Sequence, residues 1–254
     1  MKPEIAERLL AINRQFYAEF GESFSATRGR IQPGVRRVLD SLKGDETILD
    51  LGCGNGGLAR ALAGDGHRGA YLGLDFSLPL LSEAESMPQG FSAQFREVDL
   101  TQLSVIRDQL SVVSHQPSAA GHPLAGTGWS LITAFAVLHH IPGQRLRQNI
   151  LEAVHTLLAE GGRFIHSNWQ FLHSPRLRSR LRQWSEAGLA EADVDANDYL
   201  LDWRSGGTGL RYAHYFSEAE LARLAASSGF KVAGTFYSDG REGNLAVYQA
   251  WEKV

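Results

Sequence analysis

The sequence predicts an α/β fold: a doubly wound, mostly parallel sheet with an antiparallel edge hairpin and a helical cap insertion. Three observations carry this. Hydrophobic runs of strand length alternate with helical patterns over most of the 254 residues. One of these runs, TILDLGCGNGG, enters a glycine turn that opens a helix. The last two, KVAGTFYS and NLAVYQAWE, are separated only by a short SDGREG turn, as in an antiparallel pair.

Taken in order, residues 3–20 read as an amphipathic helix with Ile5, Leu9, Ile12 and Phe16 on one face. GESFSATRGR follows as a hydroxyl-rich turn, then PGVRRVLDSL as a short helix with proline near its start. Residues 1–43 thus form N-terminal helices, a lid. Residues 44–170 form the core, with strands at TILDL, YLGLDFS, FSAQFREVDL, WSLITAF and GGRFIHSNW. The helices between them are GLARALAG, PLLSEAESM, TQLSVIRDQL and QRLRQNILEAVHTLL. Residues 114–128, rich in Gly, Pro, Ala and Ser, read as a surface loop. Residues 171–215 interrupt the alternation and read as a helical, arginine-rich cap within the same domain. Residues 216–254 return to the core with the helix SEAELARLAASSGF and the edge hairpin.

The bulk numbers exclude several classes. A hydrophobic content of 43% and a charged content of 21% are those of an ordinary globular chain. A net charge of -3 argues against a uniformly basic nucleic-acid coat but leaves room for a local basic patch. One cysteine, Cys53, excludes a disulfide framework or a cysteine-rich zinc site, and no metal-ligand spacing is visible. MKPEIAERLLAINRQFY lacks an apolar signal core and no run reaches membrane-span length, so a cytoplasmic enzyme with no membrane partner is expected.

The glycine turn points to a ligand. Gly52, Gly54 and Gly56 alternate immediately after a hydrophobic strand, where the chain must turn with positive φ or let a ligand approach the backbone. Asp50 just before them is a poor neighbour for a pyrophosphate and a good one for an ammonium group, which favours S-adenosylmethionine over a dinucleotide. Asp75 ends the second strand, where a carboxylate can accept ribose hydroxyls. Asp99 ends the third, within reach of an adenine amino group, and Phe76 and Leu100 beside these acids can pack on the adenine. Three acids at the carboxyl ends of three successive strands lie where open α/β sheets bind ligands.

On these residues the chain resembles the class I S-adenosylmethionine-dependent methyltransferases, a Rossmann-like family, over roughly residues 44–170. Asp75 matches that family's ribose-binding acid. Ser130 in WSLI stands where the family is often acidic. Three further motifs extend the resemblance: Phe24-Ser25-Ala26-Thr27-Arg28, Val137-Leu138-His139-His140 and Arg211-Tyr212-Ala213-His214. Together they resemble the eukaryotic tRNA wobble-uridine carboxymethyl methyltransferases. The resemblance implies tRNA modification, with the methyl group passed to a carboxylate on a wobble uridine. It also implies a partner, since the eukaryotic members work with a small zinc-containing activator protein; Phe91–Val98 is the edge where one could sit.

A carboxylate is already anionic at neutral pH and needs positioning more than a general base. Arg28 and Arg211 are the candidates for holding it through bidentate hydrogen bonds, with Thr27 and Tyr212 orienting them. Arg28 can equally pair with Asp50 or Asp75 and pin the lid. His139 and His214 are candidate site residues, against the alternative that both histidine motifs are structural. PRLRSRLRQW, with Arg145 and Arg147 elsewhere, reads either as a phosphate-binding rim or as a solvated face. A small-molecule O-methyltransferase and a non-catalytic scaffold of the same fold are the alternative functions.

Overall fold

The computed structural model describes residues 1–26, 30–84, 91–113 and 128–254. Thr27 and Arg28, the end of PLLSEAESM, and all but Gly128 of the expected loop at 114–128 lie outside the described residues.

The core is a seven-stranded sheet. Its parallel strands are β1 (Ile48–Leu51), β2 (Tyr71–Asp75), β3 (Ala93–Glu97), β4 (Trp129–Phe135) and β5 (Leu158–Trp169). β10 (Ala246–Lys253) runs antiparallel to β5, and β9 (Phe230–Ser238) closes the edge against β10. Strand order is β3-β2-β1-β4-β5-β10-β9. The chain therefore builds outward from β1 to β3, then crosses back to β4 on the other side of β1. A crevice opens between the carboxyl ends of β1 and β4, at this switch point.

β1 is buried at all four residues because helices cover both faces of the sheet. On one face α2 (Pro33–Leu39) and α3 (Gly57–Gly64) bury Val35, Val38, Leu58 and Leu62 against Ile48, Tyr71 and Tyr248. On the other, α5 (Leu103–Val113), α6 (Gln144–Leu157) and α8 (Glu218–Ser227) bury Leu103, Leu151, Val154 and Leu221 against Leu49, Leu72 and Ile132. α4 (Leu78–Ala84) follows β2. Ser130 lies at the far end of the sheet, where its Oγ accepts the Thr47 N–H at 2.9 Å.

Two elements differ from the sequence reading. The N-terminal helix α1 runs over Pro3–Ala26, through Phe24 and Ser25, where a turn is expected. The insertion at 171–215 is framed by a sheet, not by helices. β6 (Leu181–Arg182), β7 (Asp198–Trp203) and β8 (Gly209–His214) form an antiparallel three-stranded sheet, and the longest helix of the segment, α7, is only Pro175–Arg178. The signal for the sheet is the glycine-rich turn SGGTG between the apolar run DYLLDW and the alternating GLRYAH.

α1 lies between this small sheet and the core. Leu9 packs with Trp184, Leu200 and Tyr212, and Phe16 and Phe20 pack with Trp203. A Cβ on Gly209 would stand 2.6 Å from Phe20, so the cap strand can approach the helix only as glycine.

Candidate active site

At the crevice the carboxyl ends of β1, β2, β4 and β5 open into a cavity of about 680 Å³. The three glycines of the turn serve different ends. A Cβ on Gly52 would stand 2.5 Å from Val137, so this glycine admits the loop that follows β4. One on Gly56 would stand 2.9 Å from Ala84, and Gly56 starts α3 in the left-handed conformation without lining the cavity. Gly54 has a φ of +54° and nothing within 4 Å of where a Cβ would be, so its backbone faces open space in the cavity. Gly54→Val is expected to strain the turn, block that space and weaken S-adenosylhomocysteine binding about tenfold or more, as calorimetric titration would show.

Asp50, Asp75 and Asp99 all line the cavity, each already hydrogen-bonded. Asp50 is 3% exposed and accepts the Tyr71 hydroxyl at 2.6 Å and the Thr133 hydroxyl at 2.7 Å. Burial pushes its pKa up to about 6 despite both bonds. Asp75 accepts the Gly54 N–H and the Ser77 N–H, each at 2.9 Å, so it braces the glycine turn. Burial raises its pKa as well, offset in part by those backbone donors. A carboxylate has about four acceptor sites, so each oxygen of Asp75 keeps capacity for a ligand hydroxyl. Asp99 accepts the Thr101 N–H at 2.9 Å through one oxygen and pairs with Arg14 of α1 at 2.5 Å through the other. Burial raises its pKa, but the Thr101 and Arg14 contacts outweigh it and the net shift is downward.

Phe76 and Leu100 also line the cavity, and Tyr17 of α1 meets the Phe76 ring edge-on at 5.7 Å. Cys53 is buried in the turn; burial raises its thiol pKa, and Asp50 and Asp75 add to the rise, so it stays protonated.

The histidine and arginine motifs divide. Arg211 and His139 line the cavity, whereas Arg28 lies outside the described residues. Arg211 is 4% exposed, and its guanidinium sits over Phe16 at 4.8 Å and over Trp169 and Trp203 at 5.2 Å each. One ring comes from α1, one from the end of β5 and one from β7, so three separate elements fix this cation. His139 is buried, and its Nδ1 accepts the Trp169 N–H at 3.3 Å, which leaves the proton of a neutral ring on Nε2. His140 also lines the cavity; its Nδ1–H donates to the Tyr212 carbonyl at 3.0 Å and its Nε2 accepts the Tyr17 hydroxyl at 3.4 Å.

His214 is not brought to this cavity. It lies three residues from Arg211 on a strand, and an odd separation puts the two side chains on opposite faces. Its ring is clamped between Asp198 at 2.7 Å and Glu220 at 2.8 Å. Tyr212 shares that face and donates to Asp198 at 2.7 Å, and Arg147 donates to Tyr212 at 3.1 Å. Tyr212 therefore does not orient Arg211, and Arg147 is a buried structural residue. Asp198→Ala strands Arg147 and His214 without their anion, so it should cost about 3–5 kcal/mol in denaturant unfolding. Cofactor affinity of the folded protein should change by no more than about threefold.

Sequence reasoning missed the contribution of α1. Leu10, Asn13, Arg14 and Tyr17 line the cavity at spacings of three and four, a second stripe beside the apolar one. Asn13 Nδ2 donates to the His140 and Tyr212 carbonyls at 3.3 and 3.2 Å, and its Oδ1 accepts the Tyr212 N–H at 2.9 Å. This ties α1 to the core and the cap together.

The strand order, the glycine turn with open space over Gly54, and carboxylates at three strand ends define a class I S-adenosylmethionine-dependent methyltransferase. The chain belongs to the methyltransferase domain family, which matches it over residues 24–234. A methyltransferase-named protein of Encephalitozoon cuniculi (strain GB-M1) is 29% identical over 219 residues, 86% of each chain. Among solved structures, an S-adenosylmethionine-dependent methyltransferase from Methanosarcina mazei superposes with a TM-score of 0.60 at 20% identity, over 88% of this chain and 98% of its own. Magnesium protoporphyrin IX methyltransferase from Synechocystis PCC 6803 with bound S-adenosylhomocysteine gives a TM-score of 0.60 at 18% identity, over 96% of this chain and 99% of its own. These two share the fold. S-adenosylmethionine is the cofactor of this enzyme. Among the described residues, no helix is long and apolar enough to cross a membrane.

Proposed function

We propose that the methyl acceptor is a carboxylate carried by a modified wobble uridine of tRNA. The observation that carries this reading is Arg211, a buried guanidinium caged by three aromatic rings at the wall of the cofactor cavity. Stacking occupies the faces of a guanidinium and leaves hydrogen bonding to its in-plane N–H groups, the geometry that suits a carboxylate. The motifs around Arg28, His139 and Arg211 support the same family.

When bound, S-adenosylmethionine supplies an electrophilic methyl group on a sulfonium sulfur. Gly54, Asp75, Phe76, Asp99 and Leu100 hold the nucleoside half in this reading, and Asp50 faces the amino-acid half. No protein group need remove a proton, because a carboxylate acceptor is ionised at neutral pH. Arg211 holds one acceptor oxygen in line, with Arg28 as the second candidate. His139, its Nδ1 tied to Trp169, is placed to donate from Nε2 to the other oxygen. Positioning of this kind can remove about 7–11 kcal/mol of barrier in favourable cases.

The test is incubation with labelled S-adenosylmethionine and bulk tRNA at low and high salt, with and without a zinc-containing activator protein. Label released by mild alkali is the expected result, since a methyl ester hydrolyses there. Alkali-stable label would replace the carboxylate with a hydroxyl or ring acceptor. Absence of label in every condition, with cofactor binding intact, would move the acceptor to a small molecule.

A further inference from the structure

The arginines of PRLRSRLRQW do not behave alike. Arg178 donates to the Leu172 carbonyl at 2.8 Å, and Arg182 pairs with the buried Asp202. Arg176 and Arg180 instead line the cavity, and neither guanidinium has a hydrogen bond or ion pair with any described residue. Arg176 is exposed and Arg180 half-buried.

Their turn is well anchored. Leu177 between them is buried with Phe171, Leu201 and Ala213, and the Arg180 carbonyl accepts the Asp202 N–H at 2.9 Å. Nearby acids are already engaged. Asp202 is taken by Arg182 and Arg204, and Asp239, which also lines the cavity, accepts the Gly34 N–H at 2.8 Å and the Tyr248 hydroxyl at 2.6 Å. Two like charges are thus held on one fixed turn at the cavity, without an internal counter-ion among the described residues. Such an arrangement favours an anion from outside, and a guanidinium pair matches phosphate oxygens.

We propose that Arg176 and Arg180 form a phosphate-binding subsite for the acceptor, separate from Arg211, which meets the methyl-accepting group. The subsite rests on the reading of the acceptor as a nucleotide of tRNA, and its ligand is the backbone phosphate next to the methylated unit. It sets acceptor affinity and leaves the donor site untouched.

The experiment measures binding of a single-stranded oligoribonucleotide of anticodon-loop length, at several salt concentrations, with saturating S-adenosylhomocysteine. Arg176→Gln/Arg180→Gln is expected to lower affinity about tenfold or more and to flatten the salt slope by about 1.4, or 0.7 per lost phosphate contact. Affinity for S-adenosylhomocysteine should be unchanged, which also reports correct folding. Arg178→Gln, which removes equal charge from the same turn outside the cavity, should have little effect. Unchanged affinity and slope in the double variant would overturn the subsite, and so would an equal loss in Arg178→Gln, because that is a diffuse field. RNA bound through this pair but never methylated would keep the subsite and discard the wobble-uridine reading. Methylated tRNA with unchanged KM in the double variant would do the reverse. Failure of the wild type to bind RNA would discard both. Uridine 5′-monophosphate competing as well as the oligomer would assign the phosphate to a free nucleotide.

Discussion

Arg211→Lys is expected to lower methyl transfer to tRNA by about 10²-fold, equivalent to about 2.7 kcal/mol of transition-state stabilisation. Lysine keeps the charge and part of the cation–π attraction to Phe16, Trp169 and Trp203, so the fold should tolerate it. What it loses is the planar pair of donors that fixes a carboxylate in one orientation. The loss should therefore fall on kcat as well as KM, while S-adenosylhomocysteine affinity stays within about threefold of wild type. Single-turnover transfer, with ligand binding measured in parallel, separates the two. If turnover is unchanged, Arg211 only fastens α1, β5 and the cap to one another, and the acceptor anion is held elsewhere.

Asp50→Asn is expected to stabilise the ligand-free protein at neutral pH and to weaken cofactor binding. The folded carboxyl titrates at about 6, above the ordinary value for aspartate, because burial disfavours its charge. The folded protein therefore holds this proton more tightly than the unfolded chain. The contribution is complete below about pH 4 and is lost as pH rises through about 6, leaving a cost of about 3 kcal/mol at pH 7. Asparagine cannot ionise, so the variant should unfold at higher denaturant at pH 7, and the difference should vanish near pH 4. A ligand ammonium reverses the preference by favouring the ionised form. S-adenosylhomocysteine affinity of the wild type should thus fall about tenfold from pH 7 to pH 5. In the variant it should be weak and flatter with pH, any remaining slope belonging to Asp75, whose pKa is also raised. Equal affinities in the two proteins at pH 7 would place Asp50 under the turn as a brace, without a role toward the ligand.

Much of the donor half of the site was legible in the sequence. A buried strand, an alternating glycine turn and acids closing three successive strands are local patterns, and the alternation of strand and helix implies a parallel sheet with its ligand at the carboxyl ends. The edge hairpin was legible for the same reason, since six residues between two apolar runs leave little choice of partner. The acceptor half was not. Its residues come from α1, the end of β5, α7 and the cap strands, far apart in the chain, and no local period links Tyr17, Trp169, Arg180 and Arg211.

Arg211 and His214 show the limit most plainly. As a short motif they look like one functional unit, but β8 alternates its side chains, so Arg211 enters the cavity and His214 turns to Asp198 and Glu220. The four arginines of 176–182 make the same point: burial of Leu177 and the charge of Asp202 decide which of them remain at the cavity. Sequence alone determined the class of sheet, the glycine turn and the acids around it, because these follow from hydrophobic periodicity and backbone stereochemistry. Tertiary structure alone decided which cations and rings surround the acceptor, because a side chain's partners across the cavity depend on which face of its own element it occupies and on what packs against that face.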